Sequence, residues 1–172
     1  FGGCTASETK MLKKDESQAM NRIGGILGEN EKGLAEYGDD LSYLQSIRIN
    51  VAQRILTCAY DQVLKKSFEC HASGGLCDAK GDWNGAEAWV TWVVGGTFHL
   101  CKGYWDGADN LHLYTIIHEA THFCGTNDAA YFSDDAVPRS VGLTGWERIA
   151  DTYAYWGENG FCVPDYNCPR GR

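Results

Sequence analysis

The sequence contains His118-Glu119-Ala120-Thr121-His122, an H-E-x-x-H pattern. On a helix, residues four apart stand on one face, so both imidazoles can reach a single metal ion. Glu119 then lies beside them, placed to take a proton from an attacking water. Two imidazoles and a free carboxylate in this order are suited to zinc-assisted hydrolysis. The pattern also arises by chance, from two core or surface histidines, so its surroundings must carry weight. Leu113, Ile116, Ile117 and Ala120 predict a largely buried helix here, a rigid mount for two ligands.

A catalytic zinc takes three protein ligands and keeps one position open. Three carboxylates compete for the third place. Asp128 follows His122 by six residues, and Gly125 between them permits a sharp turn back toward the histidines. Glu147 lies 25 residues after His122, as a thermolysin-like site would require. Thr144 and Glu147 also read as a capping box, however, which explains Glu147 without a metal. Asp151 lies one turn beyond Glu147 on the same helix face. The residues alone leave all three open. The spacing His122-x-x-Gly125-x-x-Asp128 is similar to that of metzincins, but those carry a Met-containing turn after the site, and Met11 and Met20 both precede it here.

The elements that must position these residues are legible from periodicity. Leu12, Ala19, Ile23 and Ile26 predict a helix from about Ser7 to Leu27. Leu44, Ile47, Val51, Ile55 and Cys58 predict a second, from about Asp40 to Lys66, with that stripe facing the core. Residues 71 to 86 are glycine-rich and read as a loop. Trp89 to Val94 and Thr97 to Cys101 are β-type segments joined by Gly95-Gly96, which predicts a hairpin. A helix from about Asp109 to Phe123 carries the histidines, and an irregular stretch spans Gly125 to Leu143. The last helix is expected to start at Thr144 and end near Gly157 or Gly160, with Trp146, Ile149, Tyr153 and Trp156 on its core face. Glu147, Asp151 and Glu158 share the opposite face, solvated or lining a cleft. His71, His99 and His112 lack ligand spacing and read as incidental. The expected fold is α+β and mostly helical: one zincin-like domain over residues 1–172, with a small antiparallel sheet and the H-E-x-x-H helix.

Composition narrows the function. A net charge of −8 excludes a phosphate-binding, nucleic-acid partner and suits cationic peptides. No apolar run approaches the roughly 18 residues that cross a bilayer. Eight cysteines, with no CxxC pair, predict up to four disulfides in an oxidising compartment rather than a structural zinc ribbon. The chain starts at Phe1 without an initiator Met, as expected after removal of a signal peptide, and it has no Asn-x-Ser/Thr sequon.

Gly125-Thr126-Asn127-Asp128 and Tyr131 after the H-E-x-x-H pattern resemble the deuterolysin and peptidyl-Lys metalloendopeptidase family, the aspzincins. Further matches run along most of the chain: Cys4, Ser7-Glu8, Ser67-Phe68-Glu69-Cys70, Leu100-Cys101, Tyr104-Trp105, Ala150-Asp151, Tyr155-Trp156 and Glu158-Asn159. The resemblance implies that Asp128 is the third ligand and that Tyr131 hydrogen-bonds the transition state. It implies that Asp151 lies near the site and receives a basic substrate side chain. It also implies the disulfides Cys4–Cys70 and Cys77–Cys101, leaving three possible pairings for Cys58, Cys124, Cys162 and Cys168. Cys124 reads as a disulfide partner rather than an adventitious ligand. The chain departs from the family pattern in the short interval between His122 and Gly125, and at Ala129, Phe132 and Ile149.

The expected function is a secreted, monomeric zinc endopeptidase acting on proteins or peptides, with a preference for basic residues near the cleaved bond. Two alternatives compete. One is a secreted zinc-binding effector that recognises a host protein with little or no cleavage. The other is hydrolysis of a different amide, such as a bacterial wall cross-link. The Thr97–Cys101 strand is expected to be the edge on which an extended substrate pairs.

Overall fold

Thr5 opens the first helix by a reciprocal cap: its hydroxyl accepts from the Glu8 amide, and the Glu8 carboxylate accepts from the Thr5 amide at 2.6 Å. The helix α1 then runs Ala6–Tyr37, ten residues past the expected end, because its buried stripe continues. Leu12, Asp15, Ala19, Ile23, Ile26 and Asn30 recur by threes and fours, and all are buried. In the computed structural model the described residues are 1–37, 42–71, 77, 88–91, 96–129 and 145–162, without the side chains of 33–37 and Trp89.

Helix α2, Tyr43–Lys65, starts at a Ser42–Gln45 capping box. Its core stripe is only partly the expected one, keeping Ile55 with Val51 packed against the core. Ile49, Ala52, Ile55, Leu56, Ala59 and Val63 are buried, whereas Leu44 and Ile47 are exposed. Two apolar stripes share this helix, and only contact with α1 and α4 decides which is covered.

The sheet comprises β1 (Ser67–Cys70), β2 (Ala88–Val90) and β3 (Thr97–Leu100) in the order β1-β3-β2. It is mixed rather than the wholly antiparallel sheet expected from sequence. β1 runs parallel to β3, with Phe68 opposite Phe98 and Glu69 opposite His99, while β2 pairs antiparallel to β3. Periodicity reports that a strand exists but carries no information on direction. The substrate-edge expectation for Thr97–Cys101 fails for the same reason: β3 has a neighbour on both sides and no free edge. Phe68 and Phe98 stack with centroids 4.5 Å apart, and Phe98 meets Phe123 edge-on at 5.2 Å, joining the sheet to the end of the histidine helix. Gly96 permits this approach, since a Cβ there would lie 2.4 Å from the Thr91 carbonyl and 2.5 Å from the Phe123 ring.

A short α3 (Lys102–Asp106) leads into α4 (Asp109–His122). After the undescribed stretch 130–144, a single 3-10 turn, Trp146–Arg148, precedes α5, Ala150–Asn159. The last helix therefore does not run continuously through Glu147, as expected; Ile149 interrupts it by pairing with Asn127. Thr144 lies outside the described residues. Glu147 faces Arg48 at 3.6 Å. Helix α5 ends at Gly160, whose φ of +87° suits the glycine. Helix α4 packs against α1, α2 and α5, with β2 alongside.

Three disulfides between described residues brace this frame: Cys4–Cys70, Cys77–Cys101 and Cys58–Cys124. The first two match the pairing implied by resemblance. The third resolves a choice the sequence left open, and it occupies Cys124. Cys168 lies outside the described residues.

His112 is structural rather than incidental. It stacks on Tyr104 at 4.4 Å, its Nδ1 stands 3.2 Å from Asp15 Oδ2, and the Tyr104 hydroxyl donates to that same oxygen at 2.8 Å. Burial, aided by Asp15, pushes the Tyr104 hydroxyl far above its ordinary pKa, so it stays a donor. Asp15 is buried and joins α1 to the α3–α4 corner. Replacing Tyr104 by Phe leaves the buried Asp15 Oδ2 a partner short, and we expect a loss of about 1–3 kcal/mol in urea unfolding. An unchanged midpoint would show that the hydroxyl contributes nothing.

Candidate metal centre

Helix α4 presents His118 and His122 from one buried face, and their Nε2 atoms lie 3.1 Å apart. Beyond the helix, the Gly125 and Thr126 amides bond back to the carbonyls of His122 and Thr121. Gly125 takes φ +90°, the turn its identity suggested. Asn127 then hydrogen-bonds to Arg148 and Ala150 across a parallel bridge, and Cys58–Cys124 fixes the same turn to α2. The result is that Asp128 Oδ1 stands 3.0 Å from each histidine Nε2.

The far side of each imidazole is also occupied. His118 Nδ1 faces Asp151 Oδ1 at 2.5 Å, and His122 Nδ1 faces the Thr126 carbonyl at 3.3 Å. Acceptors at both Nδ1 atoms hold protons there, so that the Nε2 atoms, which face Asp128, are the ones a metal would engage. Glu119 is buried, with a carboxylate oxygen within 4.8 Å of both histidine ligand atoms. Two imidazole nitrogens and one carboxylate oxygen, pre-oriented and converging on a point, are a donor set that fits zinc.

Charge accounts for the remaining electrostatics. Burial alone would lower the pKa of His118; its hydrogen bonds to Asp128 and Asp151, with Glu119 nearby, outweigh that and push it up to about 10. Burial alone would raise Asp128; hydrogen bonds from His118 and His122 instead hold its carboxyl well below the usual range. In the metal-free chain His118 therefore keeps its proton through neutral pH, and a metal must displace it. Apparent zinc affinity should rise with pH, by about tenfold per unit between pH 6 and 8 for each proton released. A chelator-competition series across that range measures it, and a flat profile would contradict the assignment.

The structure gathers His118, Glu119, His122 and Asp128 at one place. Tyr131 falls outside the described residues. Glu147 stays with Arg48, and among the described residues it belongs to no group of potential ligands. Asp151 is near the site, as expected, but it is buried behind His118 rather than presented to a substrate. Its position one turn past Glu147 hid this, because only the 3-10 turn and the break at Ile149 rotate it inward. The Thr126 carbonyl left no sequence signal at all, being backbone.

Comparison with known proteins bears on the fold and the family. A zinc peptidase from Grifola frondosa, of solved structure, is similar at a TM-score of 0.64 and 22% identity, over 91% of this chain and 97% of that one. No curated protein sequence matches the chain. The model of the lysine-specific metallo-endopeptidases matches residues 41–158, more than half of the chain and the whole of the metal centre. With that match over the helix, the turn and the residues that orient them, the chain belongs to the aspzincin family of zinc metalloendopeptidases.

Proposed function

We propose that residues 1–172 act as a single, secreted, monomeric endopeptidase domain in which His118, His122 and Asp128 hold the zinc and Glu119 moves the proton. The convergence of three donor atoms within 3.1 Å beside the buried Glu119 carboxylate carries this reading. Zinc bound there would supply Lewis acidity, polarising a peptide carbonyl and acidifying water. Glu119 takes a proton from the water that attacks that carbonyl, and later gives it to the departing amine. Burial of Glu119 keeps bulk water from competing for the proton. Asp151 and the Thr126 carbonyl hold the two imidazoles in register. Tyr131, by resemblance to the family, donates a hydrogen bond to the developing oxyanion.

Secretion is supported by the disulfides, which persist in oxidising compartments. No helix among the described residues is long and apolar enough to cross a membrane. A preference for basic residues rests on the family's description and on the net charge of −8, not on Asp151, which is already engaged. The test is to measure bound zinc, digest a denatured protein mixture and sequence the products. New N-termini enriched in Lys or Arg are expected. Cleavage without such enrichment would remove the specificity, and no cleavage by zinc-loaded protein would favour a binding role.

A further inference from the structure

The sheet carries a second convergence of ligand atoms, far in sequence from the H-E-x-x-H helix. Glu69 lies on β1 and His71 just past its end, two residues apart and so on the same face. The parallel register sets His99 of β3 opposite Glu69. His71 Nε2 and His99 Nδ1 lie 3.0 Å apart, and Glu69 Oε2 lies 3.4 Å from the latter and 3.9 Å from the former. We propose that Glu69, His71 and His99 form a second divalent-cation site that takes zinc.

The chemistry and the spacing both suit that ion. Imidazole nitrogen and carboxylate oxygen are zinc ligands, and bonds of about 2.0–2.2 Å in a tetrahedron set neighbouring donors roughly 3.3–3.6 Å apart. The three separations here straddle that range. They are also comparable to the 3.0–3.1 Å separations at the first centre. Beside this triangle the opposite face of the same register is apolar, with Phe68 stacked on Phe98. Polar ligands and core thus separate cleanly across the sheet.

The mount is rigid. The His71 amide bonds to the Leu100 carbonyl, and the Cys70 amide to the Gly2 carbonyl. Cys70, the last residue of β1, and Cys101, next after β3, are both in disulfides. Burial is graded: His99 is buried, His71 partly so, and Glu69 is 46% exposed on its side chain. A cation therefore has a path from solvent past Glu69 to the three protein donors. Bound there, it would clamp β1 to β3 at their parallel pairing.

The experiment uses whole protein stripped by chelator and titrated with zinc alone, read by calorimetry and by elemental analysis after gel filtration. Two equivalents are expected for the native chain. Glu69→Gln and His71→Asn change half-exposed or partly buried side chains, so they should fold, as circular dichroism would verify. Each should leave one equivalent, with the affinity for the other reduced at least about tenfold. His118→Asn should retain the sheet site, which separates failure of this proposal from failure of the catalytic one. In the native chain, ring-proton NMR signals of His71 and His99 should shift on adding the second equivalent. One equivalent in the native chain, two in both variants, or unmoved His71 and His99 signals would each overturn the site.

Discussion

Glu119→Gln should keep its zinc and lose cleavage by about 10²–10⁴-fold, the range over which a positioned acid–base group contributes. The change preserves shape and hydrogen-bonding capacity but removes the ability to accept a proton. Glu119 is buried and close to both histidine ligand atoms, so no solvent carboxylate can substitute for it. Metal content by elemental analysis and initial rates on a denatured protein substrate provide the two readouts. A variant that binds zinc and still cleaves at the native rate would remove Glu119 from the proton path. A variant that loses zinc would instead make Glu119 part of the metal's own shell.

Asp128→Ala is expected to weaken zinc binding by more than about 100-fold, beyond the roughly 10–100-fold that loss of an outer partner costs. Asp128 supplies the oxygen that stands 3.0 Å from both Nε2 atoms, whereas the other acidic side chain grouped with the histidines, Glu119, is assigned to proton transfer. Asp151→Asn should fall within that 10–100-fold range. Its amide still fits beside His118 Nδ1, but it is neutral and cannot support the imidazole as a carboxylate does. Competition against a chelator of known affinity orders the two variants. If Asp151→Asn proved the more damaging, the ligand and its orienting partner would have to exchange roles. Native affinity in Asp128→Ala would show that Asp128 is not the third ligand and would make Glu119 the next candidate.

Much of the centre was legible because its parts are local. His118, Glu119 and His122 lie within one helical turn, so spacing alone sets their geometry. Gly125 and Asp128 required one further inference, that a glycine reverses the chain, and its φ of +90° bears this out. The helices were recognisable from their apolar spacing, although α1 continued to Tyr37 and α2 buried a stripe rotated from the expected one. Asp151 could not be placed, because its orientation follows from the turn at Trp146–Arg148 and the Asn127–Ile149 bridge.

The amino-acid order by itself determined the two imidazoles, the carboxylate beside them and the helices that carry them, since these depend on residues within a few turns of one another. Only the tertiary structure decided the direction of β1, the burial of Asp151 behind His118, the Cys58–Cys124 pairing and the meeting of His71 with His99. The physical reason is range. Backbone periodicity constrains neighbours three or four residues away, whereas strand direction, disulfide choice and ligand convergence are fixed by packing between segments 24 to 66 residues apart.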